Sequence, residues 1–147
     1  MSTNDPNQPF AAFRFLLEIE GVTQGAFAEV SGLDSCTEVI EYRNGNDVQT
    51  TPRKIPGLTR YANVTLKRGY YRNDDLWSWR RAILDGENDR RKVTIKLLDE
   101  QGQTVVRWEV LEAWPAKWKG ASLNAKSSEI AMESLELANE GIRQSLE

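Results

Sequence analysis

The chain has 147 residues, 39% of them hydrophobic, with a formal net charge of −3. That is the length of one ordinary domain with a modest core, and it lacks the strong basic surplus of a dedicated nucleic-acid binder. Histidine is absent and Cys36 is the single cysteine, which removes Ser-His-Asp and Cys-His nucleophile pairs, the commonest metal ligand, an intramolecular disulfide and any multi-cysteine zinc site.

The start, MSTNDPNQPFAAF, has neither a basic n-region nor a continuous apolar h-region, so it does not read as a signal peptide. No stretch approaches the roughly 20 apolar residues that span a bilayer. The expectation is a soluble chain made in the cytosol. Residues 1–12 are polar and carry Pro6 and Pro9, which predicts a flexible arm ahead of one β domain over residues 13–147. From Phe13 to Glu20 the chain alternates. Phe13, Phe15, Leu17 and Ile19 share one face, and Arg14, Leu16, Glu18 and Glu20 the other, as in a half-buried strand. Gly21 to Gly25 reads as a turn, and Ala26 to Val30 as a short strand. Ser31-Gly32-Leu33-Asp34 predicts another turn. The segment SCTEVIEY, residues 35–42, favours an extended chain. Cys36 within it reads as a small buried hydrophobe, with a reactive thiol as the alternative. Arg43 to Leu58 holds two Gly, two Pro and adjacent threonines without a helical period. It is expected to be a long, contact-making loop, with room for a little extended structure.

Asn63 to Arg68 is the next clear strand. The following Lys67-Arg68-Gly69-Tyr70-Tyr71-Arg72 mixes cations with aromatics, as single-strand-binding surfaces do. The rest of the chain lacks the electrostatic support for such binding, so a strand end and contact loop is the simpler reading. A helix starts at Asn73 or Asp74, with Asp74 and Asp75 at its positive end, Arg80 and Arg81 later and Gly86 just past it. Leu76, Trp79 or Arg80, and Ile83 trace one side, and Trp77 and Leu84 widen it. Leu76, Ile83 and at least one of Trp77 and Trp79 are expected against the sheet, with Arg81 outward. Residues 89–92 form a charged turn. Val93, Ile95 and Leu97 alternate with Thr94, Lys96 and Leu98, residues 99–102 suit a hairpin loop, and Thr104 to Trp114 a longer strand. Residues 115–127, with Pro115, Trp118 and Gly120, read as a loop. Ser128 to Leu137 is strand-like, and a parity switch at Ser134 predicts a bulge or a new packing partner. The sum is a mainly β domain, a small antiparallel barrel or sandwich of six or seven strands with one packed α-helix.

Chemistry is scarce. Glu18, Glu20, Glu38, Glu41, Asp99, Glu109 and Glu112 supply carboxylates, but none lies in a catalytic motif. No nucleophile, base or metal set can be assembled, so neither an enzymatic centre nor a cofactor is expected. Trp114 and Trp118 flank Pro115 at an expected strand end, where Trp commonly anchors an interface. Strands with one charged face suit either a sheet open to water or the wall of an aqueous channel. Composition leaves both open.

The order of several features carries a resemblance: FRFLLEIEG, EVSGLD, VIEYRNG, RKIPGLTRYANVTLKRG, DLWSWRRAI, RRKVTIKLLDEQG, WEVLEAWPAKW and SEIAMESLELANEG. From about Phe13 to Ile142 the chain resembles the tail-tube proteins of T4-like phages and of phage-tail-like contractile injection particles. The resemblance implies six-membered rings stacked into a hollow tube, with strands closing across subunits around a lumen. It implies a contractile sheath, baseplate or tube-initiator and terminator proteins as partners, and protein cargo or phage DNA in the lumen. No insertion of this chain into a membrane is implied. Glu41, Lys67, Lys96, Glu129 and Glu133 are then the candidate lumen-facing residues. Tyr42, Arg43, Arg53 and Lys54 are candidate inter-subunit or inter-ring contacts. The family's fold also serves initiator rings at the baseplate and resembles the ring protein of type VI secretion. The alternative from another class is a monomeric adaptor or nucleic-acid-binding β-barrel domain.

Overall fold

The computed structural model describes residues 8–20 and 27–147. The first seven residues of the expected arm and the expected Gly21–Gly25 turn lie outside them. The described elements run β1 (Phe15–Ile19), β2 (Glu29–Ser31), β3 (Ser35–Tyr42), β4 (Arg53–Tyr61), β5 (Val64–Gly69), α1 (Asp75–Leu84), β6 (Arg91–Leu98), β7 (Thr104–Lys119), β8 (Met132–Ala138) and β9 (Gly141–Leu146).

The long strand β7 organises the domain. Its first half pairs with β6 on one side and β9 on the other, and β6 pairs with β1. Its second half pairs with β8, which continues to β5 and β2. All these pairings are antiparallel. β7 therefore belongs to two four-stranded layers and turns from one to the other. Glu112 sits at that turn with a positive φ of 53°, and register shifts fall between Arg91 and Val93 and between Pro115 and Lys117. Such bulges bend a strand and let it change sheets. The result is a sandwich rather than a closed barrel.

Period-two patterning builds the core between the layers. Leu17 and Ile19 meet Val93, Ile95 and Val110 from one sheet, and Val64, Leu66, Leu135 and Leu137 from the other. Helix α1 adds Leu76 and Trp79, both fully buried, where β7 changes sheets. The Trp79 indole N–H donates to the Asp89 carbonyl at 2.8 Å, and Arg91 lies over its ring. The Asn73 side-chain oxygen accepts from the Asp75 N–H, and Gly86, at φ +88°, ends the helix while its N–H bonds the Ile83 carbonyl. Trp77 remains 37% exposed and Ile83 is half-buried at the rim. Of the expected helix contacts, Leu76 and Trp79 are thus the deep ones.

Several boundaries differ from the sequence reading. Arg53 to Leu58 is not loop but the first two-thirds of β4, which pairs with β3 from Ser35↔Tyr61 to Tyr42↔Arg53. Pro56 is tolerated because this pair stands outside the seven-stranded sheet, where ladder bonds are not needed on both sides. Cys36 is exposed on β3, not buried, because no layer covers that strand. β7 runs on through Pro115 to Lys119, and a further strand, β9, follows β8. β8 begins at Met132, so Glu129 lies in the preceding loop, and its pairing with β5 has no bulge at Ser134. The parity break has another origin. Glu133, Leu135 and Leu137 all point inward, and Glu133 is a charged residue at a core position.

Candidate functional site: the assembly surfaces

The β3–β4 hairpin is a two-stranded arm with nearly every residue exposed. Its root is fixed. Gly32 takes φ +89°, and a Cβ there would sit 2.1 Å from the Asn63 carbonyl oxygen, so only glycine permits this approach. The Ala62 N–H bonds the Asp34 carbonyl, and the Asn139 amide donates to the Ala62 carbonyl at 2.9 Å. Beyond the root the arm carries Val39, Ile40, Tyr42, Ile55 and Leu58, all exposed. An isolated hairpin is marginal in water, and exposed apolar strands invite pairing. Tyr42, Arg43, Arg53 and Lys54 cluster where the arm meets its tip. The Tyr42 hydroxyl bonds the Asn44 side chain, and Arg43 donates to the Gln49 and Asp47 carbonyls. Arg53 and Lys54 have no ionic or hydrogen-bonded side-chain partner among the described residues.

The two outward sheet faces are polar. On the first layer Glu18, Thr94, Glu109 and Arg143 form one cross-strand row, and Leu16, Lys96, Arg107 and Ser145 the next. Lys96 reaches Glu18 at 3.1 Å, and Arg107 reaches Glu147 at 2.8 Å. On the second layer Glu29, Lys67, Ser134 and Lys119 are in register, with Lys67 3.5 Å from Glu29. The five candidate lumen residues do not share a wall. Lys67 and Lys96 occupy the outward faces of different layers, Glu41 lies on the arm and Glu129 in a loop.

Glu133 belongs to none of these faces, and its assignment as a channel residue is corrected. It is 4% exposed, and its Oε1 accepts from the Nε of fully buried Arg68 at 2.7 Å. Arg68 also donates to the Tyr71 hydroxyl and the Asn73 carbonyl, and packs its guanidinium over the Phe27 and Tyr71 rings. The Trp118 N–H reaches the other Glu133 oxygen at 3.4 Å. Inward parity on β5 and β8 forces both charges into the core, where they must pair. The pair could have been read from Arg68 following Val64 and Leu66 at period two. Above it a cleft of about 500 Å³ is walled by Tyr70, Tyr71, Trp77 and Trp118, the last two with ring centroids 4.8 Å apart. The Lys67–Arg72 basic-aromatic run is therefore split: Lys67 faces out and Arg68 is core.

Among the described residues no cluster of metal-ligating side chains is present, and no helix is long and apolar enough to cross a membrane. Among the described residues, β1, β2 and β9 each have one edge without a strand partner, and a projecting arm and two clefts add to them. These are features of a part that docks with other parts.

Comparison with known proteins follows the same line. A family model described as T4-like virus tail tube protein gp19 matches residues 11–143. The structure of an extracellular contractile injection system, the PVC sheath–tube complex in its extended state, holds a chain 27% identical, covering 96% of this chain and 94% of that one, with a TM-score of 0.87. The anti-feeding prophage tube terminating cap holds one 29% identical, covering 95% and 93%, with a TM-score of 0.86. Hcp1 from Flavobacterium johnsoniae shares the fold at 16% identity, covering 90% and 95%, with a TM-score of 0.63. No curated protein gives a match.

Proposed function

We propose that this chain, which belongs to the T4-like virus tail tube protein family, is a structural subunit of the hollow inner tube of a contractile injection particle. It forms six-membered rings that stack, accepts a contractile sheath around it, and meets baseplate or initiator and terminator proteins at the two ends. The N-terminal arm and the β3–β4 arm make the contacts to neighbouring copies and rings. The lumen conducts cargo, a protein payload in an injection particle. The subunit works without enzymatic chemistry or a cofactor. Assembly takes place in the bacterial cytoplasm, and the finished particle carries the tube out.

The observation that carries this reading is the arm. A chain that exposes Val39, Ile40, Ile55 and Leu58 on a hairpin outside its own core gains stability when another copy covers them. The edges of β1, β2 and β9 that have no strand partner among the described residues add to the same need. A head-to-tail contact whose rotation closes gives a ring, and stacking gives a filament. Because Lys67 and Lys96 lie on outward faces of opposite layers, one of these two faces is proposed to line the channel in the assembled tube, with Glu41 and Glu129 carried to it by the arm and the loop before β8. Hydration and mixed signs screen their repeated charge, and a polar wall without tight pockets lets cargo slide.

The test is size-exclusion chromatography with negative-stain microscopy of the purified chain, alone and with sheath and baseplate proteins. Six-membered rings, and tubes at high concentration or with an initiator, are expected. A stable monomer at high concentration beside those partners overturns the reading.

A further inference from the structure

We propose that the cleft beside the β6–β7 turn is the seat for the β3–β4 tip of a second copy of this chain. The proposal rests on the tube reading and names the acceptor that the reading leaves open.

The cleft encloses about 490 Å³. Its apolar walls are Phe10 and Phe13 from the segment before β1, Leu98 from β6 and Val105 from β7. The segment is held in place locally. The Leu98 N–H bonds the Arg14 carbonyl at 2.9 Å, and the Arg14 Nη1 donates to the Glu100 carbonyl at 3.0 Å. Phe13 is adjacent to this anchor, and it and Phe10 form an open, exposed wall. The rim is acidic. Asp99 is occupied by the N–H groups of Gln101 and Gln103, whereas the Glu100 carboxylate has no partner among the described residues.

The tip has the complementary character. Val48 is 100% exposed, an apolar side chain at the apex of a loop. That loop is shaped in advance. Arg43 ties the Asp47 and Gln49 carbonyls, and the Asn44 N–H bonds the Asp47 carboxylate at 2.9 Å. A knob so braced loses little entropy on docking. With Arg43 engaged inside the loop, Arg53 and Lys54 are the cations left to meet a partner. An apolar knob flanked by cations fits an apolar cleft with an acidic rim.

Position supports the pairing. The arm is rooted at the corner where Gly141 pairs with Leu111, and the cleft lies at the Thr104 end of the same strand. Seven residues along β7 separate them, roughly 23 Å at strand rise. Donor and acceptor are thus different surfaces, and such a contact propagates head to tail from copy to copy. The cleft over the Arg68–Glu133 pair fits the tip less well. Each cleft has one arginine on its lining, but here Glu133 is neutralised by Arg68 and Asp74 sits at the positive end of α1, so less negative charge is left for the tip.

The test uses the full-length chain and tube formation seen by sedimentation and microscopy, with circular dichroism to confirm folding. Lys54→Glu and Glu100→Lys should each reduce sedimentable tube at least about tenfold, and the double reversal should recover it to within about twofold, as coupled opposite charges do. In a Cys36→Ser background, a chain with Val48→Cys mixed with one carrying Ala11→Cys should give a disulfide-linked pair after oxidation of tubes. Wild-type tubes with both charge reversals normal, or Val48→Cys cross-linking instead to a cysteine placed at Tyr70, overturn the seat and leave the tube reading standing. A wild-type chain that forms no ring or tube with its partners present sinks both.

Discussion

Replacing Arg68 by Met removes one member of a buried ion pair while leaving its volume largely filled. Glu133, 4% exposed, then keeps only the long 3.4 Å contact from Trp118. Removing one partner of such a pair costs about 3–5 kcal/mol, because the remaining charge stays buried without compensation. The Tyr71 hydroxyl and the Asn73 carbonyl lose a donor in the same change, but Tyr71 is half exposed and water can replace it, so the middle of that range is expected. At a urea m-value of about 2 kcal/mol/M, 4 kcal/mol lowers the unfolding midpoint by roughly 2 M. Arg68→Met with Glu133→Leu should behave differently. Removing both charges for apolar groups is neutral or stabilising in comparable pairs, so the double variant should recover most of the loss. The assay is urea unfolding of the four proteins in the double-mutant cycle, followed by Trp fluorescence at one fixed protomer concentration, since assembly makes stability concentration-dependent. A single-variant loss below about 1 kcal/mol, or losses that simply add in the double variant, would refute the reasoning.

Trp79→Ala should cost about 3–5 kcal/mol, since the side chain is fully buried and its N–H is bonded to Asp89. Trp77→Ala, at a rim position, should cost well under half of that, and equal midpoints in chemical denaturation would contradict the packing. Gly32→Ala should destabilise by about 1–3 kcal/mol and free the arm, because the backbone is left-handed and a Cβ would meet Asn63. Faster proteolysis between β3 and β4 is the readout, and an unchanged cleavage rate would count against it. Lys67→Ala and Lys96→Ala remove exposed surface pairs, so each should change stability by no more than about 1 kcal/mol. Tubes should still assemble, with at most altered cargo retention by co-sedimentation; a collapse of the fold would show that these faces are structural.

Much of this protein is legible in the residues alone. Alternation in Phe15–Ile19, Val93–Leu97 and Val64–Leu66 identifies strands and their buried faces, because the side-chain period of a strand is two whatever its partner. The helix is equally local, set by Asn73 and Asp75 at one end and Gly86 at the other. The order of motifs carries the family resemblance, and the absence of His already excludes the common catalytic arrangements. Other features depend on contacts distant in sequence. Glu133 looks like one more polar strand residue until β5 sets Arg68 opposite it, 65 positions away. Arg53–Leu58 looks like a loop because Pro and Gly weaken its local strand signal, and only pairing with β3 makes it extended. Cys36 looks buried because it sits in an alternating, strand-forming segment, and only the arm's separation from both layers exposes it. Local patterning determines which residues of a strand share a side. Whether that side meets a core, water or another copy is decided by what the rest of the fold places against it.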